Sequence, residues 1–339
     1  MAGAAIHDHA EAVDLGLVAR LLRNQARIEL AGPLKLELLA GGRSNLTYVL
    51  SDGRSEWVLR RPPLGHVLAT AHDMAREARV QQALGSAGFP VPRVVLASAD
   101  PSFYVMERVA GTVLRTDGDL VGVSRGQRPA VGHAYVDTLA ALHAIDPEAV
   151  GLADFGRPQG FASRQVRRWT KQLESSRSRA VPVLDELATK LAADVPGNDR
   201  ASIVHGDFRL DNMILAPGAE PRIAAVLDWE MSTLGDPLTD LGLAWLFWEG
   251  WRGIDNPIAG TAGLHADYPG WPELMARYRE RAGVDVGDFA WYQAFACFKL
   301  AVILEGIYYR DAGGLTVGEG FAGIGEMVLP LAARGLDLI

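Results

Sequence analysis

Thiols and lysines are scarce in this chain. One cysteine, Cys297, occurs in 339 residues, which excludes an intramolecular disulfide and a multi-cysteine metal site. A reducing, cytoplasmic setting is expected. Lysine occurs only at Lys35, Lys171, Lys190 and Lys299, so 29 of the 33 basic residues are arginine. Chemistry that needs a lysine therefore has four candidates. The start of the chain, Met1 to Asp8, has no basic segment followed by an apolar run, so no secretory signal is expected. The longest apolar stretch, Trp291 to Tyr309, is short for a membrane span and carries Lys299, Glu305 and Gly306. It reads as a buried helix, and no membrane partner is expected. With 41 acidic residues against 33 basic ones the net charge is −8, which argues against general nucleic-acid binding. Internal repeats and low-complexity segments are absent.

At this length about two domains are expected. Hydrophobic residues at 49% and charged residues at 22% are ordinary for a globular chain, which excludes disorder of the whole. Residues 10–30 carry Val18, Leu21 and Leu22 at helical spacing. Leu34 to Leu39, Thr47 to Leu50, Glu56 to Arg60, Val94 to Ala97 and Phe103 to Met106 read as strands, with a hairpin turn at Ser51-Asp52-Gly53. A helix is predicted over 70–85. Beyond Gly111 the pattern becomes helical, over 130–145, 162–175, 181–193, 238–249, 271–282 and 290–309. Two apolar runs interrupt it, Ser202 to Val204 and Ile223 to Leu227. The expected architecture is α+β: a small β-rich N-terminal lobe over 1–108 and a larger helical lobe over 109–339.

The most informative segment is His205-Gly206-Asp207-Phe208-Arg209-Leu210-Asp211-Asn212, which contains H-x-D-x-x-x-x-N. The catalytic loop of protein kinases has that spacing. An Asp at its head accepts the proton of an acceptor hydroxyl, and an Asn five residues on ligates Mg²⁺ held on ATP. Sixteen residues after Asn212 comes Asp228, closing the apolar run Ala225-Val226-Leu227, where a second metal ligand belongs. Asp207 is thus the candidate catalytic base, with Asn212 and Asp228 as candidate metal ligands. His205 reads as structural.

The first hundred residues hold nucleotide-binding candidates in matching order. Gly42, Ser44 and Asn45 lie between two strands, where a loop can cover phosphates. Val58 and Arg60 share a strand face, so Val58 can lie against adenine while Arg60 reaches the phosphates. Glu77, on the next helix, can pair with that cation. Met106, Glu107 and Val109 end the last strand, where backbone groups of Glu107 and Val109 can read an adenine edge. The usual phosphate-binding lysine is missing from its strand, and Arg60 is its substitute, with Arg61 next.

On these motifs the chain resembles the aminoglycoside phosphotransferase and choline kinase family over roughly residues 30–310. The resemblance implies a bilobal protein-kinase-like fold, ATP and Mg²⁺ as cofactors, and a small-molecule hydroxyl as phosphoryl acceptor. It also implies that Asp236 and Asp240, in Gly235-Asp236-Pro237-Leu238-Thr239-Asp240-Leu241-Gly242, brace the loop. Val58-Leu59-Arg60-Arg61-Pro62-Pro63 and Gln165-Val166-x-x-Trp169-x-x-Gln172 are most similar to phosphotransferase domains found alone in bacteria or fused to acyl-CoA dehydrogenases. That subgroup implies a hydroxyacyl-CoA acceptor. The conventional Gln before Gly306 is here Glu305.

Arg164, Arg167, Arg168 and Lys171 fall on one helical face. Residues 157–179 hold seven basic residues and one acidic one, Glu174. Such a face attracts an anionic acceptor and repels a polycationic one. A choline-like or aminoglycoside kinase and a non-catalytic nucleotide-binding regulator stand as alternatives. Both monomer and homodimer are compatible with the sequence. Two patterns carry no chemistry. Gly122-Val123-Ser124-Arg125-Gly126 matches a hydrolase elbow without the strand that must precede it. His7 and His9 sit near the chain's start. Trp245, Trp248 and Trp251 are expected in the core or the acceptor pocket.

Overall fold

The computed structural model describes residues 13–39, 45–63, 73–177, 179–197, 200–312 and 323–339. Gly42 and Ser44, and also His7 and His9, lie outside the described residues. The chain divides into two compact units. One runs to Ala110 and takes in Ala224–Glu230; the other comprises Gly111–Ile223 and Met231–Ile339.

The first unit is built on a five-stranded antiparallel sheet of β1 (Lys35–Leu38), β2 (Leu46–Ser51), β3 (Glu56–Arg61), β4 (Val94–Ala99) and β5 (Ser102–Glu107), in the order β1-β2-β3-β5-β4. The hairpin between β2 and β3 closes locally. The Asp52 carboxylate accepts the N–H groups of Arg54 and Ser55, and also that of Ala31 from the preceding loop. Alternation sorts the side chains onto two faces. Tyr48, Leu50, Trp57, Leu59, Phe103 and Val105 form one apolar layer with Val18 and Leu22 of the helix Leu15–Asn24. Val58, Tyr104 and Met106 form the opposite layer with Met74 and Ala78 of the helix Met74–Ser86. Asp73 caps that helix, its carboxylate accepting the N–H of Arg76. Its buried face reads Met74, Glu77, Ala78, Gln81, Leu84, so Glu77 and Gln81 face inward together.

The segment Ala224–Glu230 belongs to this unit for a visible reason. The N–H of Val226 donates to the carbonyl of Pro90 at 2.8 Å, and the Trp229 ring meets Phe89 edge-on at 6.0 Å. The Trp229 indole also donates to the Val226 carbonyl. Sequence order alone assigns these residues to the C-terminal lobe.

The second unit is helical. Its long helix, Ala290–Ala312, packs on Phe161–Ser175, Pro182–Ala193, Leu238–Trp245 and Val328–Leu338. By length and hydropathy its Ala290–Asp311 stretch could cross a membrane, but 72% of its most apolar 18-residue window is buried, as expected for a core helix. Leu238–Trp245 runs on through a π-turn at Leu246–Gly250. Trp245, Trp248 and Trp251 are core residues, and Trp248 stacks on Tyr135 at 5.2 Å. Glu305 is buried and has its own partner: the Arg179 guanidinium grips both its oxygens at 2.8–3.2 Å and stacks over Tyr308. The departure at this position is thus a structural ion pair. Ser202–Val204 pairs antiparallel with Thr233–Gly235 and carries the chain into His205. Before Ser124 stands a short helix, Asp117–Gly122, where a hydrolase elbow would need a strand.

Candidate active site

Arg60 lies on β3 opposite Thr47 on one side and Tyr104 on the other. It is 8% exposed, and its guanidinium approaches Asp228 at 3.2 Å and Glu77 at 3.6 Å. Burial opposes its charge, but the Tyr104, Glu77 and Asp228 oxygens more than compensate and hold its pKa above the ordinary arginine value. Glu77 is 2% exposed. It accepts from the Asn45 amide at 2.9 Å and from the Tyr104 hydroxyl at 3.1 Å, and Tyr104 in turn accepts from Gln81. Burial pushes the Glu77 carboxyl up despite the neighbouring Arg60. Asn45 also donates to Glu230 at 3.2 Å. The expected cation–carboxylate pair is thus present with arginine as the cation. Tyr104, Gln81 and Glu230 were not anticipated, although Tyr104 sits one strand over from Arg60 on the same face.

Asp228 has a left-handed backbone, φ 66°, which Asp tolerates better than most residues. Its carboxylate is one-third exposed while Arg60 holds one oxygen. Met106 packs beside Val58 in the apolar layer. The Glu107 N–H is used by the Arg93 carbonyl and its side chain by the Arg93 guanidinium, and Val109 follows as a half-buried residue.

Arg60→Met removes the cation from two carboxylates. Because burial already raises the Glu77 pKa, Glu77 can take up a proton, so the expected loss of stability is about 1–3 kcal/mol. A carboxyl with a raised folded pKa adds stability below its unfolded pKa and loses it as pH rises through the folded value. The deficit should therefore grow from mildly acid to neutral pH, and Glu77→Gln in the same chain should remove most of it. Urea denaturation across that range measures both; a deficit independent of pH would contradict the account.

In the second unit the motif His205–Asn212 forms a braced loop. Gly206 has φ 84°, and a Cβ there would fall 2.8 Å from the Met231 carbonyl oxygen, so both backbone and space require glycine. The N–H groups of His205 and Gly206 donate to the buried Asp240 carboxylate at 2.5 and 2.8 Å, and His143 approaches the same group at 3.4 Å. Asp236 accepts from the Leu238 N–H and the Tyr292 hydroxyl, which fixes the start of the following helix. His205 is buried, and its Nδ1 accepts the Asp207 N–H at 3.1 Å, a structural use of the ring.

This bracing leaves the Asp207 carboxylate partly exposed at the head of the loop. It accepts from Asn212 at 2.9 Å and approaches Arg209 at 3.4 Å. The Asn212 amide nitrogen also donates to the Asp207 main-chain carbonyl at 2.8 Å, so its oxygen remains to face a cation. Arg209 pairs with Asp211 at 3.0 Å and lies over the Phe247 ring of the π-turn. Burial raises the Asp211 pKa, against the pull of Arg209.

The helix Phe161–Ser175 carries the basic residues. Arg167, Arg168 and Lys171 are exposed. Arg164 turns back and donates to the carbonyls of Arg157 and Gln159, so its charge is committed to the preceding loop. Arg177 and Arg179 are paired with Asp185 and Glu305. Three of the seven local cations are therefore already engaged. Among the described residues no cluster of three His, Cys, Asp or Glu side chains could hold a metal. Asp228 in the first unit and Asn212 in the second each offer an oxygen ligand, and Mg²⁺ needs few from a protein, since it keeps waters and phosphate oxygens as its other ligands.

A kinase-type catalytic loop in one unit and a sheet that holds an arginine–glutamate pair in the other are the parts of a phosphotransferase. The model of the phosphotransferase enzyme family matches residues 35–280, and the chain belongs to that family. It is 40% identical over 308 residues to rat acyl-CoA dehydrogenase family member 11, covering 88% of this chain but 39% of that protein. The chain therefore spans well under half of that relative. A crystal structure from Ralstonia eutropha, described as a candidate aminoglycoside phosphotransferase, is 34% identical with a TM-score of 0.84, covering 96% and 98% of the two chains. An aminoglycoside phosphotransferase solved with AMP-PNP and hygromycin B shares the fold, with 19% identity and a TM-score of 0.59, covering 94% and 98%. The protein-kinase-like fold is established by this likeness.

Proposed function

We propose that this protein transfers the γ-phosphoryl group of ATP to the hydroxyl of an anionic small molecule, with a hydroxyacyl-CoA as the leading candidate. The observation that carries the reading is the state of Asp207. It is a partly exposed carboxylate at the head of a loop whose backbone is tied to Asp240, with Asn212 locked to it. Asp207 orients the acceptor hydroxyl and accepts its proton. Asn212 and Asp228 would hold Mg²⁺, which would neutralise phosphate charge. Arg60, aligned by Glu77, Tyr104 and Asp228, steadies the nucleotide phosphates. The apolar layer of Val58 and Met106 offers a flat face to adenine. Most of the catalysis is positioning and charge neutralisation, which phosphoryl transfer chiefly needs.

Two observations favour an anionic acceptor. Arg167, Arg168 and Lys171 stand exposed on one helix with no carboxylate at ion-pair distance among the described residues. The chain is also similar to a protein named as an acyl-CoA dehydrogenase. An ATP-consumption screen over hydroxyacyl-CoAs, amino alcohols and aminoglycosides tests the reading. Turnover confined to hydroxyacyl-CoAs supports it. Turnover with amino alcohols or aminoglycosides alone would replace the acceptor class, and no turnover with any acceptor would favour a nucleotide-binding regulator. Replacing Arg167 and Arg168 by Glu is expected to raise KM for the CoA acceptor by about tenfold or more with kcat little changed. An unchanged KM removes these two arginines from the acceptor site.

A further inference from the structure

Lys299 is the one lysine inside the long core helix, and no step above uses it. Its ammonium donates to the Gly206 carbonyl at 2.6 Å, one residue before Asp207. It also lies 5.6 Å from the Trp169 ring centre. No carboxylate stands within ion-pair distance of it among the described residues. Burial, with Arg168 and Arg209 nearby, lowers its pKa; the Asp207 and Asp240 charges act the other way. Trp169 carries a second cation, the Arg168 guanidinium 5.5 Å from the same ring. Trp169 is 7% exposed, yet its indole N–H has no hydrogen-bond partner among the described residues.

A buried ammonium normally has a counter-ion, and a buried indole N–H normally has an acceptor. Here two cations and an N–H gather on one indole, all donors. A purely structural Lys299 would explain the bond to Gly206. It would leave the Trp169 N–H and the remaining ammonium protons without a purpose. A group rich in acceptor oxygens and negative charge satisfies all three.

We propose that Lys299, the Trp169 indole and Arg168 form an oxyanion subsite beside the catalytic loop, which binds a carboxylate or phosphate of the acceptor. Lys299 touches the residue next to Asp207, and adjacent Cα atoms are about 3.8 Å apart. The bound oxyanion therefore lies within a few bonds of the hydroxyl that Asp207 addresses. Near its hydroxyl a hydroxyacyl-CoA carries only an uncharged thioester, so the subsite narrows the anionic acceptor to a free hydroxy acid or hydroxy phosphate over the CoA ester, and an amino alcohol lacks the group the subsite needs. The word acceptor rests on the phosphotransfer reading; the binding of an oxyanion does not.

The test is a titration of protein carrying ¹⁵N-labelled tryptophan, with Trp169→Phe identifying the indole signal. Sodium 3-hydroxybutyrate, butane-1,3-diol, inorganic phosphate and choline are the probes, without ATP. The expected result is a saturable shift of the Trp169 signal with 3-hydroxybutyrate and with phosphate, and none with the diol or choline. Lys299→Met should weaken 3-hydroxybutyrate binding by about tenfold or more, the loss of one charge-assisted hydrogen bond, while Lys299→Arg retains most of it. Arg168→Gln, at an exposed position that leaves the core intact, should weaken it in the same direction. No shift with 3-hydroxybutyrate, an equal shift with the diol, or unweakened binding in both Lys299→Met and Arg168→Gln overturns the subsite. A shift with phosphate alone overturns it as an acceptor site and assigns the donors to the phosphoryl group in transfer. Turnover without the Trp169 shift sinks the subsite alone. The shift without turnover on any acceptor sinks the phosphotransfer reading alone.

Discussion

Asp207→Ala is expected to lower kcat by about 10²- to 10⁴-fold, the usual contribution of a positioned general base, while nucleotide binding persists. The structure separates the two effects. Asn212 donates to both the side chain and the main-chain carbonyl of Asp207, and the main-chain bond survives the substitution. Arg209 keeps Asp211 as its partner when the Asp207 carboxylate is lost. The loop itself is held through His205 and Gly206, which bond to Asp240 by their backbone N–H groups. The variant should therefore fold normally, with its unfolding midpoint little changed. Single-turnover phosphoryl transfer measures the loss, and calorimetry with a non-hydrolysable ATP analogue measures binding. Activity within tenfold of the parent would remove Asp207 from the base role. Loss of analogue binding alongside activity would mean that Asp207 serves the nucleotide rather than the acceptor.

The parts of this site that were legible in the sequence are those that local spacing determines. Strand alternation puts Val58 and Arg60 on one face, and Glu77 falls on the buried side of the helix Met74–Ser86. The turn at Asp52 is made by residues two and three positions away. The loop motif carries its own register, because Asn212 reaches back five residues to Asp207. What was not legible depends on partners far along the chain. Lys299 meets Gly206 across 93 residues, and Arg179 meets Glu305 across 126. Spacing within one segment contains no information about such meetings. Arg164 shows the converse limit. Helical periodicity aligned it correctly with Arg167 and Arg168, but a flexible side chain can fold back onto nearby carbonyls and leave the face. The helix Val328–Leu338 was missing from the expected elements, although Val328, Leu331, Ala332 and Gly335 are buried at helical spacing. The segment Ala224–Glu230 joins the first unit through Pro90 and Phe89, which no composition shift announces.

Asp240→Ala is expected to be the most destabilising single change in the second unit. Asp240 is 1% exposed and accepts two backbone N–H groups, with His143 against one of its oxygens. His143 is itself engaged by the Tyr278 hydroxyl at 2.8 Å, so the network reaches from the catalytic loop into the helix Trp271–Ala282. Alanine leaves the N–H groups of His205 and Gly206 and the His143 ring without their acceptor in the interior. The expected cost is about 3–5 kcal/mol, the range for removing one partner from a buried charged network. Asp240→Asn keeps one acceptor oxygen and should cost less, about 1–3 kcal/mol. The pH dependence carries a sign. Burial raises the Asp240 carboxyl pKa, but the His143 bond and the His205 N–H and ring more than offset it, so the folded pKa lies below the ordinary value. Its contribution is therefore complete above the unfolded pKa of about 3.9 and is lost as pH falls through the lower folded pKa. The stability gap between the parent and Asp240→Ala should be constant from about pH 5 to neutrality and narrow only in strong acid. Urea denaturation at several pH values measures that gap. A gap that narrows near neutral pH would place the titration on a histidine and shift the bracing role from Asp240 to His143. Because the same two N–H groups set the direction of Asp207, Asp240→Asn should also lose turnover out of proportion to its loss of stability, which an activity assay well below the unfolding midpoint would reveal.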